Sequence, residues 1–195
     1  RDYLQGFHIA VSSDSLRAVS IIEPISQRHP NDELGLRTRS TLLSIYFGYR
    51  DWSEGLLLST EIKQMLERLP RNNTWYTANL SVVIYYMNLH MYNEALQLLE
   101  RVTGPELGKV SAEMRCRYIA QEFRAQKGLD ISAITPRWLA TLEAACLPLT
   151  DTLYTVEPFI TWTRYLLDVG QYEAVLLAVR RYERAIIDLN YFYYV

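Results

Sequence analysis

The chain has 195 residues, 49% of them hydrophobic and 22% charged, with a net charge of −2 and a pI near 6.0. Those proportions belong to a folded chain and exclude a largely disordered one. They offer no clustered basic face for nucleic acid, and no apolar run reaches the ~18 residues of a membrane-spanning helix.

Helical periodicity runs through the chain and no clean alternation suggests a sheet. About ten helices are predicted, roughly over 3–11, 14–28, 32–48, 52–69, 73–88, 92–102, 109–127, 136–147, 150–168 and 172–190. The turns at His29-Pro30-Asn31-Asp32 and Leu69-Pro70-Arg71-Asn72-Asn73 close two of these runs. Pro24 is expected to kink or shorten its helix. Asp51 with Glu54 resembles a capping box. Leu80, Val83, Ile84 and Met87 line one helix face, as do Ala95, Leu98, Leu99 and Val102. Thr103-Gly104-Pro105 and Gly128-Leu129-Asp130 are loops, and Thr135-Pro136 is a helix start with Thr as N-cap. Pro158 falls near the start of its helical run. Cys116 and Cys146, 30 positions apart, could be paired. In a helical chain with no visible signal peptide, two buried small hydrophobes are the expectation. The chain begins at Arg1 without an initiator Met, which reads as a segment of a longer protein. No targeting segment is visible, and a cytoplasmic location is expected. No linker interrupts the pattern, so residues 1–195 read as one domain.

A phrase recurs along these helices. Arg50-Asp51-Trp52-Ser53-Glu54-Gly55 and His90-Met91-Tyr92-Asn93-Glu94-Ala95 share a turn, a large ring and a small residue three positions on, and Gly170-Gln171-Tyr172 followed by Val175 is similar. Trp52 and Tyr92 are 40 positions apart, Tyr92 and Tyr172 80, and Pro30 and Pro70 40. A period near 40 signals stacked helix pairs. With Tyr46 and Tyr86 on the preceding helices, the phrase resembles the tetratricopeptide repeat. The period exceeds the 34 residues usual for that repeat, so other helix-pair repeats of about 40–47 residues stay open. The stretch around Gly128 and Ala133 departs from the pattern, with Asp130 where a ring should stand.

The resemblance implies an all-α fold, a right-handed superhelix of antiparallel helix pairs (an α-solenoid), in which small residues let paired helices approach and rings fill the gaps between pairs. It also implies a concave groove lined by the first helix of each pair. In this register the groove holds Arg37, Ser40 and Ser44, then Thr77, Leu80 and Ile84, then Arg115, Tyr118 and Glu122, and last Arg164. Family members that clamp a carboxylate tail use Lys, Asn and Arg at set groove positions. Ser40, Ser44, Leu80 and Ile84 stand there instead and cannot supply charge-assisted donors.

The run Tyr191-Phe192-Tyr193-Tyr194-Val195 is expected to be an uncapped end, so Tyr191, Tyr193 and Tyr194 join the partner-binding candidates. It invites further repeats or self-association. His8, His29 and His90 show no metal-ligand spacing, and no phosphate loop or hydrolase motif occurs. Asn72-Asn73-Thr74 and Asn79-Leu80-Ser81 match the glycosylation acceptor pattern, the second inside a predicted helix. The expected function is a non-enzymatic protein-binding scaffold for a peptide or partner helix, with no catalytic residue, metal, cofactor, nucleic acid or membrane. A regulatory or sensor domain of a larger protein, such as a transcription regulator, and a structural subunit of a stable complex are the alternatives.

Overall fold

The structure, a computed structural model, describes residues 15–149 and 152–194. The helix expected over 3–11 and His8 lie outside them. The described residues are helical and contain no strand. Contacts divide the chain into two compact units that meet at Leu98 and Leu99. The division falls inside a helix and not in a Pro- or Gly-rich linker, which is why no linker shows in the sequence.

The first unit holds α1 (Ser15–Arg28), α2 (Glu33–Tyr49), α3 (Trp52–Arg68), α4 (Asn73–Asn88) and nearly all of α5 (Tyr92–Leu99). Three of these helices start on a side-chain cap. Asp32, Asp51 and Asn72 accept the backbone N–H of Gly35, Glu54 and Trp75, satisfying donors that a helix start leaves open. Helix α2 packs on α1, α3 and α4, and α3 also packs on α4. Trp75, Tyr85, Leu36, Leu43, Ile62 and Leu80 are buried among them. The buried Arg39 reaches across three helices, donating to Glu61 on α3 and to the carbonyls of Ser26, His29 and Gly35. Gly35 is required there, because a Cβ would lie 1.6 Å from the His29 carbonyl oxygen. Asn79 is fully buried and donates to the Leu98 carbonyl.

The second unit holds α6 (Ala112–Leu129), α7 (Pro136–Cys146), the single turn α8 (Thr152–Thr155), α9 (Glu157–Asp168) and α10 (Tyr172–Tyr194). Short 3₁₀ turns at Glu100–Val102, Leu107–Lys109 and Ile131–Ala133 connect them. Helix α6 packs on α7 and α9, and α9 on α7 and α10. Phe123, fully buried, sits 5.9 Å from Trp138, 6.2 Å from Trp162 and 6.2 Å from Tyr165, edge-to-face spacings that aromatic rings favour. The single helix expected over 150–168 is two, parted at Val156, with Pro158 in the first turn of α9. A proline is tolerated there but would clash with the carbonyl four residues back in a continuous helix.

The recurring phrase encodes a turn. Arg50, His90 and Gly170, each two positions before its ring, are left-handed at φ 60°, 58° and 73°. Each turn carries the same two bonds: Arg50 N–H to Phe47 and Asp51 N–H to Tyr46, His90 to Met87 and Met91 to Tyr86, Gly170 to Leu167 and Gln171 to Leu166. This is the Schellman ending of a helix. The rings themselves are not equivalent. Trp52 meets Phe47 and Tyr85, Tyr92 is tied to His90, and Tyr172 is exposed. Rings therefore do not uniformly fill gaps between pairs. The small residue differs from expectation too: a Cβ on Gly55 would meet the Tyr85 hydroxyl at 2.3 Å, so Gly55 clears a side chain of α4 and not the backbone of α2.

At the departing stretch no left-handed residue ends α6. Asp130 is extended and accepts Ser132 N–H and Oγ, leading through the 3₁₀ turn to Thr135. Thr135 is the N-cap by position, with Pro136 in the first turn, but its side chain makes no capping bond. Here Cys116 and Cys146 are joined by a disulfide, both fully buried, with Cα atoms 5.0 Å apart. The expectation of two free hydrophobes is corrected. Leu142, Ile119 and Ala120 pack round the bond.

Candidate functional site

Two features stand out, one in each unit. In the first unit, α2 packs on α4. Their outward faces carry Arg37, Thr41 and Ser44, then Thr77, Ser81 and Asn88. Residues three and four apart share a helix face, which is why these positions align. The side chains of Thr41, Ser44, Thr77, Ser81 and Asn88 each donate to the carbonyl four residues back. The strip is thus polar, short and internally satisfied. Arg37 is held at its edge by Glu33 and Thr74, and Glu33 also accepts from Thr74 at 2.6 Å and Asn72 at 3.0 Å. The bond from Thr74, ahead of the others, holds the Glu33 carboxyl below its ordinary range.

In the second unit a cavity of about 170 Å³ opens beside α6, lined by Leu99, Val102, Thr103, Gly104, Leu107, Tyr118, Ile119 and Glu122. The loop over it turns at Gly104, which is left-handed at φ 56°, a conformation glycine adopts without penalty. Arg115 pins that loop by donating to the Leu107 carbonyl. Burial, and then the charge of Glu100, hold the Glu122 carboxyl above its ordinary range.

The candidate residues distribute accordingly. Arg37, Ser44 and Thr77 lie together on the first unit's strip. Ser40 and Leu80, assigned to the same groove, are buried, because one step along a helix rotates a side chain by about 100°. Arg115, Tyr118 and Glu122 come together at the cavity. Tyr118 is 2% exposed, so it is a wall of that cavity and not a flat outer contact. Arg164 is exposed on α9. Tyr191, Tyr193 and Tyr194 fall in the last turns of α10, and their side chains lie outside the described residues. Thr41, Ser81, Thr103 and Leu107 were missed; the first two follow from the register of Arg37 and Thr77.

Among the described residues no group of three or more His, Cys, Asp or Glu could hold a metal ion, and no helix is long and apolar enough to cross a membrane. His29 is occupied by Asp32 and His90 by Tyr92. Comparison with protein-family models, curated proteins and solved structures finds no match for this chain.

Proposed function

We propose that the chain is a non-enzymatic protein-interaction module, a tetratricopeptide-like stack of helix pairs that holds a peptide or partner helix along its first helices. The strip on α2 and α4 carries this reading. Its side chains are short, so a partner backbone can approach closely, and their hydrogen bonds are already made, so little is reorganised on binding. Arg37 supplies a charge anchor on this strip, and the exposed Arg164 would supply one on the second unit taken by itself. Peptides selected from a random library and titrated calorimetrically test this. Arg37→Ala or Ser44→Tyr should weaken binding, by ~1–2 kcal/mol if the residue is a hot spot, with the melting temperature lowered by no more than about 2 °C. Peptides that bind equally well to both variants would remove the strip from consideration.

A second reading, a structural subunit of a stable complex, is favoured by α10, where Leu176 and Leu177 are 64% and 65% exposed. Light scattering on Leu176→Glu/Leu177→Glu decides it: an unchanged, concentration-independent mass rules out self-assembly through that face.

A further inference from the structure

The carboxylate of Glu122 stands on a cavity wall that is otherwise mostly apolar. Among the described residues it has neither a hydrogen-bond nor an ion-pair partner, and Glu100 adds negative charge nearby. Glu122 is half-buried and its carboxylate keeps contact with solvent, so a ligand that replaces that water favourably must bring positive charge and donors. Arg124, the basic residue closest in sequence, is engaged with Glu157 and Thr161, and Arg115 with the Leu107 carbonyl.

We infer that this cavity takes a primary alkylammonium group, its methylene stem against Leu99, Val102, Leu107 and Ile119 and its charged head on Glu122. An ammonium carries three donors, and three lining side chains bear oxygen: Glu122, Tyr118 and Thr103. The Thr103 hydroxyl donates to the Glu100 carbonyl, which leaves its lone pairs for an incoming donor. The volume equals roughly five or six waters at the ~30 Å³ each occupies in the liquid, enough for one such chain. A divalent metal is disfavoured by the single carboxylate and the aliphatic walls, since hard cations demand several oxygen ligands. Two carboxylates repel anions. The inference deepens the interaction reading by naming the chemistry a partner would present: a lysine side chain, or a free amine of the same form.

The test is a carbon-detected NMR titration of the Glu122 carboxyl in the whole chain. The probes are N-acetyl-lysine methylamide, 1,5-diaminopentane, N-acetyl-norleucine methylamide and calcium chloride. Either amine should move the Glu122 titration midpoint downward, whereas the norleucine isostere should not. Glu122→Gln should bind the amines roughly tenfold more weakly or worse, since a charge-assisted bond is lost. Tighter binding of the capped lysine assigns the source to a partner protein, and tighter binding of the diamine to a free metabolite. A midpoint unmoved by both amines, equal binding of norleucine, or a shift produced by calcium alone overturns the inference. The wild-type titration decides the matter even if Glu122→Gln does not fold. Substitutions on the α2–α4 strip read the interaction proposal separately, so either can fail alone.

Discussion

Both units join two packed helices with an arginine, a glutamate and a threonine, but the settings differ. In the first unit Arg37 and Glu33 come from α2 and Thr74 from α4, and the charged pair is 50% and 53% exposed. In the second, Arg124 comes from α6, while Glu157 and Thr161 come from α9, and the pair is 28% and 21% exposed. The same chemistry is a solvent-screened clasp in one unit and a partly dry one in the other. The turns differ in the opposite sense. Helices α2 and α3 meet through a Schellman turn with a capped start, whereas α6 and α7 lack that turn and are joined by a disulfide. Where local backbone hydrogen bonding does not set the angle between two helices, a covalent bond does.

The contrast breaks first at the disulfide. Cys116→Ser/Cys146→Ser, or reduction of the bond, should lower the stability of the second unit by about 3–4 kcal/mol, the chain-entropy value for closing the 30-residue separation. Chemical denaturation with and without reductant measures it, and an effect under about 1 kcal/mol would show that α6 and α7 hold without the bond. Such bonds persist in oxidising compartments and are reduced in the cytosol. A cytoplasmic location would therefore leave two apposed thiols in place of the staple.

Next, Arg124→Ala should cost about 1–2 kcal/mol and Arg37→Ala about 0.5 kcal/mol or less. Paired denaturation curves with and without 1 M salt sharpen this, because screening reaches the exposed clasp first. Equal costs would mean that exposure does not separate the clasps. A smaller effect comes from the turns. Arg50 stands where glycine pays no steric penalty, so Arg50→Gly should gain up to about 1 kcal/mol and Gly170→Ala lose about as much. A destabilised Arg50→Gly would mean that the arginine side chain matters to the turn.

In pH dependence the units should respond with opposite sign. Asp32 is held below its ordinary range, first by the Gly35 N–H and then by His29. Its contribution is present above its unfolded pKa and is lost as pH falls through the folded one. Glu122 is raised, so its contribution is complete below its unfolded pKa and is lost as pH rises through the folded value. Glu122→Gln should thus be neutral or stabilising at neutral pH, and the benefit should shrink in acid. Asp32→Ala should destabilise at neutral pH by about 1 kcal/mol, and that cost should also shrink in acid. Melts between about pH 3 and pH 8 check both trends.

Most helices were legible from apolar spacing, and the turns from the ring phrase, although that phrase marked a left-handed residue and not a uniform packing layer. Pro158 was visible, yet the break before α9 was not drawn from it. The pairing of Cys116 with Cys146 was illegible because a spacing of 30 says nothing about two helices lying side by side. Of the site, Arg37, Ser44 and Thr77 followed from helix register. Arg115, Tyr118 and Glu122 were marked by the failure of the repeat, but a cavity depends on how a loop folds back over a helix, which no local pattern encodes.

The burial of Asn79 constrains the order of events in synthesis. Its side chain is sealed inside the first unit, and Asn72, the other acceptor asparagine, is committed to Glu33 and the start of α4. An enzyme attaching a sugar at either site would have to act before α4 closes, and a glycan at Asn79 would then bar that closure. A sugar found on Asn79 would therefore mark molecules that lost the race to fold, and the mature protein should carry none there.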